Sequence, residues 1–127
     1  MSVVGVGTDR ILVARVAGSL DRFGDRFVRR VYTAREFEQA AAKSDTARRL
    51  AMLFAAKEAV AKALGTGFRQ GVAPAHIETL HLASGKPEVT LHDGAAAVAR
   101  RLGVASVHVS LTDDDGVAMA FAIAETV

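Results

Sequence analysis

The chain has 127 residues, half of them hydrophobic, and its 16 basic and 14 acidic residues give a formal net charge of +2. This length suits one domain, residues 1–127, with enough apolar material for a core. The absence of cysteine excludes disulfides, zinc–thiolate sites and thiol catalysis. No apolar run approaches the roughly 18 residues that span a bilayer, and no signal-peptide pattern is visible. We therefore expect a cytoplasmic protein with no membrane partner.

Periodicity and turn residues predict an α+β fold in which a largely antiparallel sheet packs with a long buried helix. Glycines, a capping pair at Thr33 and Glu36, and an acidic hairpin turn mark the element boundaries. In chain order we predict a strand at 2–9, helices at 11–18, 20–31, 33–42 and 45–64, a glycine-rich loop to 72, strands at 76–83 and 87–92, a helix at 93–102, and strands at 105–112 and 117–125.

The first predicted strand carries alternating glycines, Gly5 and Gly7, and ends at an acidic residue. These glycines leave room for close backbone packing or for a nearby ligand. At the end of the strand, the carboxylate of Asp9 could project into a cleft. The ordinary alternative is that Asp9 caps the helix that follows.

The helix predicted at 20–31 has a cationic face. Arg22, Arg26 and Arg29 recur at helical spacing, opposite an apolar stripe. Such a face is most often simply solvated, but it can also attract an acidic partner. A small nucleic-acid-binding domain is a further alternative, although few aromatic residues are available for base stacking. We therefore expect no nucleic-acid partner.

The helix predicted at 45–64 contains the most informative pattern in the chain. It is apolar on nearly every side, yet Glu58 shares a stripe with Leu50 and Phe54, and Lys62 follows one turn later. A carboxylate in such a stripe is costly unless a cation or a metal ion meets it. For Glu58 and Lys62 alone, an ordinary surface ion pair is the simpler explanation.

Together with Asp9, Glu58 offers two hard oxygen donors, the minimum for a magnesium ion that also binds water and substrate phosphates. The glycine-rich loop after the helix, residues 65–67, could bring backbone amides close to a phosphate. The four histidines have no spacing typical of metal ligands. The sequence therefore indicates a magnesium site that handles phosphate groups.

Four motifs occur in the order typical of one family. They are Gly5-Val6-Gly7-Thr8-Asp9, Phe54-Ala55-Ala56-Lys57-Glu58-Ala59 with Lys62 and Gly65-Thr66-Gly67, the turn Ser84-Gly85-Lys86-Pro87, and the strand His108-Val109-Ser110-Leu111-Thr112. Over essentially the whole chain they resemble the holo-[acyl-carrier-protein] synthases, the small bacterial type of 4'-phosphopantetheinyl transferase. The resemblance implies that family's fold and an enzyme that moves the 4'-phosphopantetheine group of coenzyme A onto a serine of apo acyl carrier protein, releasing adenosine 3',5'-bisphosphate. The resemblance implies a part in fatty-acid biosynthesis and lipid metabolism, and the sequence leaves open whether the carrier belongs to fatty-acid or polyketide synthesis.

The resemblance also implies roles for particular residues. Asp9 and Glu58 would hold Mg²⁺, Lys62 would contact a phosphate as the third catalytic residue, and Glu58 would remove the serine proton directly or through a water. A homotrimer with active sites between its subunits is implied as well. The residues assigned to substrate binding are Arg48, Arg49, Gly65, Thr66, Gly67, Lys86 and Ser110. Those assigned to carrier-protein docking are Arg15, Arg22 and Arg26.

Two positions depart from the family pattern. The late strand continues into Asp113 where the family carries a histidine, and Leu53 stands where it carries an arginine. Both positions lie towards coenzyme A, so a weaker affinity for that substrate is expected. Asp113 should repel a phosphate unless it turns away or a nearby arginine counters its charge. A carrier-binding homologue with impaired use of coenzyme A is therefore the alternative to the transferase.

Overall fold

The computed structural model describes residues 1–127 and arranges them as an antiparallel α+β fold, as the sequence predicted. In chain order the elements are β1 (Val3–Leu12), α1 (Val13–Phe23), α2 (Asp25–Val31), α3 (Ala34–Ala41), α4 (Thr46–Ala63), a 3₁₀ turn (Pro74–His76), β2 (Ile77–His81), β3 (Pro87–Leu91), α5 (Asp93–Leu102), β4 (Ser106–Asp114) and β5 (Val117–Glu125). None of its helices combines the length and the apolar character that crossing a membrane requires.

The strands form two antiparallel sheets, and the larger one supports the long helix. This larger sheet has the order β1-β5-β4, whereas β2 and β3 pair by themselves. Helix α4 packs against all three strands of the larger sheet. Ten of its 18 residues are buried, which confirms the prediction of a long buried helix. The helix therefore lies at the centre of the molecule.

Small side chains line the contact between α4 and the larger sheet. Alternate residues of β5 point towards the helix, as expected for a strand. All four of these inward residues are buried alanines: Ala118, Ala120, Ala122 and Ala124. On the helix side, alanine again predominates among the buried residues. Because small residues predominate on both surfaces, the backbones of the helix and the sheet can approach each other closely.

The closest approach is between β1 and α4, where glycine allows the two backbones to touch. A Cβ atom at Gly7 would lie 1.9 Å from the carbonyl oxygen of Ala59, and one at Gly5 would lie 2.0 Å from that of Ala63. Of the two roles predicted for these glycines, close backbone packing is therefore confirmed. No residue with a side chain could replace either glycine unless the strand moved away from the helix.

The structure corrects the predicted environment of Asp9. Pairing between β1 and β5 continues as far as Leu12 opposite Val117, so Asp9 lies within the strand and not at its end. It is also not a helix cap, because α1 begins after Leu12 and has no side-chain cap. The strand continues because alternating side chains keep packing beyond Asp9, with Ile11 against the core.

The single basic helix predicted at 20–31 is also wrong. The chain breaks at Gly24, which has a φ angle of +53° and ends α1 through a hydrogen bond from its N–H group to the carbonyl oxygen of Leu20. Arg22 therefore belongs to α1, whereas Arg26 belongs to α2. The three arginines do not share one continuous helical face, because the helix is interrupted at Gly24.

Two local predictions are confirmed in detail. Thr33 and Glu36 form the capping box at the start of α3, with the side chain of each accepting a hydrogen bond from the backbone of the other. The acidic hairpin between β4 and β5 turns at Asp115 and Gly116, which have φ angles of +51° and +76°. Positive angles at both positions are typical of the type I′ turn that Asp-Gly favours.

We expect Gly7→Ala to destabilise the protein by at least about 2 kcal/mol, because the new methyl group would overlap the carbonyl of Ala59. Gly18→Ala is the matched control. Gly18 lies inside α1 with no neighbouring atom within 4 Å of an added Cβ, so alanine there should leave stability unchanged or raise it by up to about 1 kcal/mol. Urea unfolding of the two variants measures both effects. Equal stabilities would mean that the close contact does not exist in solution.

Candidate active site

A cavity of about 300 Å³ brings together the acidic residues that the sequence singled out. It lies where β1, α1, α2 and α4 meet. Its lining consists of Asp9, Arg10, Ile11, Arg15, Val16, Ser19, Phe27, Phe54 and Glu58. Asp9 enters from the strand and Glu58 from the long helix, so the close contact between these two elements places the carboxylates side by side.

The two carboxylates strongly influence each other. The pKa of Glu58 is raised, first by its partial burial and then by the neighbouring carboxylate of Asp9. Lys62 and Arg15 act in the opposite direction, because their positive charges favour the ionised form of Glu58. The cavity therefore concentrates negative charge that the surrounding cations only partly offset.

Lys62 reaches across to β1 and completes the predicted trio. Its Nζ atom lies 3.0 Å from Oδ1 of Asp9 and donates a second hydrogen bond of 3.0 Å to the carbonyl oxygen of Thr8. The simple surface ion pair between Glu58 and Lys62 is thus absent, and Lys62 pairs with Asp9 instead. Because about half of the Lys62 side chain remains exposed, its ammonium group is accessible to a ligand.

The pair of carboxylates fits a small divalent cation. Two adjacent negative groups in a partly buried cavity repel each other, and a cation between them would relieve that repulsion. No cluster of three or more acidic or histidine residues that could hold a metal is present. Asp9 and Glu58 would therefore supply two ligands, and water or substrate oxygens would supply the others, as Mg²⁺ commonly accepts.

The backbone amides of the loop at 65–67 do not have the role that the sequence predicted for them. Gly65 and Gly67 have positive φ angles of +80° and +58°, so glycine is suited to both positions. However, the Gly65 N–H donates to the Lys62 carbonyl, and those of Thr66 and Gly67 donate to the Ala61 carbonyl. These amides therefore terminate α4 and are not free to surround a phosphate. Any contact with substrate must use other atoms of this loop.

Arg48 neutralises the unusual Asp113. Its Nη1 atom donates a hydrogen bond of 2.7 Å to Oδ1 of Asp113, and its Nε lies 4.0 Å from the carboxylate of Asp45. Of the possibilities that the sequence left open, the structure therefore has an arginine countering Asp113. The same contacts engage Arg48, which was predicted to bind substrate.

A second cavity, of about 500 Å³, lies on the other side of α4 and has cations at its edge. Its lining consists of Glu36, Gln39, Ala40, Ala42, Lys43, Arg49, Met52, Leu53, His81, Leu82, Ala83 and Gly85. The pKa of His81 is lowered, first by burial and then by the positive charges of Arg49 and Lys43. Leu53, the other departure from the family pattern, is buried here.

Lys86 and Ser110, the remaining predicted substrate residues, line neither cavity. Lys86 is exposed in the hairpin between β2 and β3, near Gly85 of the second cavity. Ser110 is exposed on the outer face of β4, opposite Phe121 of β5. Within one chain, the structure thus does not bring the seven predicted substrate residues into one site.

The predicted docking arginines lie on α1 and α2. Arg15 lines the first cavity beside Glu58. Arg22 is at the end of α1, with its guanidinium carbon 5.4 Å from the ring centre of Phe23. Arg26 lies on α2 at an open depression that it shares with Arg29 and Arg30. All three docking residues are exposed, so this side of the molecule offers a cationic surface next to the acidic cavity.

The sequence analysis missed the role of Lys57, because it named this residue only as part of a motif. In the structure its side chain is completely buried and forms an ion pair with the buried Glu36. A lysine directly after a run of apolar residues in this helix was the available signal, because a buried ammonium group requires a partner. The partner could not be identified from sequence spacing, since 21 residues separate the two.

Comparison with known proteins shows the family to which the chain belongs. Residues 5–122 match the family model of the 4'-phosphopantetheinyl transferase superfamily. The chain is 47% identical over 125 residues to a holo-[acyl-carrier-protein] synthase of Edwardsiella ictaluri, which covers 98% of this chain and 99% of that protein. These matches show that the chain belongs to the 4'-phosphopantetheinyl transferase superfamily, and within it to the holo-[acyl-carrier-protein] synthases, as the motifs indicated.

Solved structures show the same fold. A holo-[acyl-carrier-protein] synthase from Neisseria meningitidis aligns with a TM-score of 0.90 and 34% identity, over 98% of this chain and all of that one. A holo-(acyl-carrier-protein) synthase from Bacillus anthracis, in complex with coenzyme A (3',5'-ADP), aligns with a TM-score of 0.80 and 29% identity, over 98% of each chain. The predicted fold family is therefore confirmed.

Proposed function

We propose that this chain transfers the 4'-phosphopantetheine group of coenzyme A to a serine of apo acyl carrier protein and releases adenosine 3',5'-bisphosphate. The observation that carries this proposal is the cavity in which Asp9 and Glu58 face each other while Lys62 contacts Asp9. The relatives of this chain are holo-[acyl-carrier-protein] synthases, and the structure of the one from Bacillus anthracis was solved in complex with coenzyme A. We place the reaction in the cytoplasm, where carrier proteins for fatty-acid synthesis would be available.

The proposed chemistry requires a weak nucleophile, a serine hydroxyl, to attack phosphorus that is surrounded by negative oxygens. Mg²⁺ held by Asp9 and Glu58 would supply positive charge beside the pyrophosphate. The carboxylate of Glu58, partly buried in the same cavity, could accept the serine proton directly or through a water. The exposed ammonium group of Lys62 can turn from Asp9 to a phosphate oxygen and stabilise the departing bisphosphate.

For the nucleotide part of coenzyme A, we propose Arg49 as the principal anchor. It lines the larger cavity, where Lys43 adds a second positive charge. Arg48 would have to leave Asp113 before it could bind a phosphate. Gly65, Thr66, Gly67, Lys86 and Ser110 are retained in the proposed substrate site. Because Arg48 already balances Asp113, the main argument for a homologue with impaired use of coenzyme A is weaker than the sequence suggested.

The homotrimer is proposed from the family resemblance and is supported by the outer face of the larger sheet. Val6 and Phe121 are large apolar residues on this face, with exposed fractions of 56% and 46%. Exposed apolar surface of this kind commonly marks a contact with another protein chain. Ser110 lies beside Phe121 in the sheet. Contact between copies at this face would therefore bring Ser110 close to a neighbouring subunit and help to complete its site.

We expect Asp9→Asn and Glu58→Gln each to lower the transfer rate by well over tenfold, because each removes one of the two charged metal ligands. The assay follows magnesium-dependent transfer of label from coenzyme A to apo carrier protein. Glu38→Gln, at an exposed position of α3, is the matched control and should retain full activity. Full transfer by either site variant at ordinary magnesium concentrations would contradict the metal assignment.

Thermal unfolding of Glu58→Gln gives a second readout of the same assignment. Because the pKa of Glu58 is raised in the folded state, its ionisation at neutral pH disfavours folding, and this cost is absent at a pH below its unfolded pKa. Without divalent metal, the variant should therefore melt above the wild type at neutral pH. Added Mg²⁺ should raise the melting temperature of the wild type more than that of the variant.

Charge reversal at Arg22 and Arg26 should raise KM for the carrier protein by roughly tenfold, because both cations would attract an acidic partner. KM for coenzyme A should change little. Arg100→Glu, at an exposed position of α5, is the control and should leave both values unchanged. The wild-type KM for the carrier should also increase with ionic strength. An unchanged carrier KM in the double reversal would place docking elsewhere.

We expect the wild type to sediment as a trimer and Phe121→Glu as a monomer, because the charge would be buried at the proposed contact. Leu102→Glu replaces an exposed apolar residue of α5, outside the sheet, and should remain trimeric. Analytical ultracentrifugation at micromolar concentration distinguishes these states. A wild type that sediments with the mass of one chain would contradict the proposed assembly.

A further inference from the structure

A completely buried ion pair involves Lys57, the residue that precedes the proposed catalytic residue Glu58 in α4. The side chains of Lys57 and Glu36 have no exposed surface, and the Lys57 Nζ atom donates a hydrogen bond of 2.6 Å to Oε1 of Glu36. The same Nζ donates to the carbonyl oxygens of Ile77, at 2.6 Å, and Pro74, at 3.1 Å. All three donors of the ammonium group are therefore used, each in a different direction.

Glu36 is fixed just as completely. Its Oε1 atom accepts a hydrogen bond of 2.9 Å from the N–H group of Thr33, and its Oε2 atom accepts one of 2.9 Å from that of Thr79. The pair thus connects α4 to α3, to the 3₁₀ turn and to β2. The ring of Tyr32 covers the ammonium group, with its centre 5.5 Å from Nζ. The ammonium group of Lys57 is therefore held in place by its three hydrogen bonds and by the ring of Tyr32.

These contacts constrain the rotation of α4 about its own axis. Successive residues of an α-helix differ by about 100° in direction. Lys57 and Ala59 thus face directions about 200° apart, and Glu58 lies between them. Gly7 of β1 touches the backbone at Ala59 on one side, while the buried ion pair holds Lys57 on the nearly opposite side. The helix is consequently held from both sides of Glu58.

We propose that Lys57 and Glu36 are positioning residues that fix the rotation of α4, so that the Glu58 carboxylate faces Asp9. This inference rests on the proposed function of Glu58. Apolar residues of similar size often stabilise a protein interior as well as a buried ion pair does. The ion pair additionally fixes the orientation of α4. Its hydrogen bonds require defined angles, whereas apolar packing tolerates small rotations of the helix. Neither residue touches the reacting atoms.

The test removes both charges together, because loss of one partner would leave the other buried and unpaired. In the double variant Glu36→Gln and Lys57→Met, the glutamine retains an oxygen that can accept a backbone hydrogen bond. We expect this variant to fold, with kcat lower by roughly 10- to 100-fold, as small misplacements of catalytic groups typically cause. KM for the carrier protein should change by less than about twofold, because neither residue lies on the proposed docking surface.

Two further measurements separate positioning from general destabilisation. Mn²⁺ binding, followed by electron paramagnetic resonance, should weaken by roughly tenfold in the double variant, because Glu58 would no longer face Asp9. Val98→Ala, a core substitution in α5, is the control for stability and should lower the melting temperature while kcat and Mn²⁺ affinity stay unchanged. An equal loss of kcat in Val98→Ala would show that the effect is only structural and would overturn the inference.

Comparing the double variant with Glu58→Gln distinguishes failure of the positioning role from failure of the proposed function. If the double variant folds with normal kcat and Mn²⁺ affinity while Glu58→Gln is inactive, the positioning role is wrong and the proposed function stands. If Glu58→Gln is active, the proposed site itself is wrong. Should the double variant not fold, Glu36→Asp replaces it, because this change keeps both charges but draws the carboxylate one methylene away from Lys57. Lower kcat in this folded variant supports the inference, and normal kcat overturns it.

Discussion

The contact between the backbones of β1 and α4 is the constraint on which the rest of the structure depends. Gly7 and Gly5 let the strand lie directly on the helix carbonyls, where any side chain would intrude. This contact sets the distance between the two elements and therefore the distance between Asp9 and Glu58. Because Asp9 lies in the middle of a paired strand, its backbone is held by hydrogen bonds to β5. A carboxylate on a free loop would not be held so precisely.

Holding two carboxylates together opposes stability, and the surrounding residues limit that cost. Lys62 contacts Asp9 directly, and Arg15 adds positive charge near Glu58. Both cations remain exposed, so water screens their effect and leaves the pKa of Glu58 raised. A more buried cation would stabilise the apoprotein further, but it would compete with a metal ion for the same oxygens. Partial compensation is thus suited to a site that must still bind a cation.

The sequence predicted features that depend on nearby residues, such as the buried helix α4, the capping box at Thr33 and the Asp-Gly hairpin turn. It did not predict the break at Gly24, because the hydrophobic and basic periodicity continues across that residue and only its positive φ angle reveals the break. The partnership of Lys57 with Glu36 was also missed, and for that of Arg48 with Asp113 the sequence allowed a nearby arginine without identifying which one. Both join residues distant in the chain, and their partners are selected by tertiary packing. Asp9, Glu58 and Lys62 were predicted because the motifs supplied that long-range information.

The alanine-lined face of β5 has a consequence for how such a sequence can change over time. Ala120 and Ala122 are buried beneath α4, so we expect larger side chains there to strain the contact between the helix and the sheet. The outer face of the same strand has no such restriction, because Met119 and Phe121 point away from the helix. The inward positions of β5 are therefore restricted to small residues by α4, whereas the outward positions are not restricted by that helix. Change at the outward positions leaves the contact between β5 and α4 intact, and it would reach the proposed site only through a neighbouring subunit.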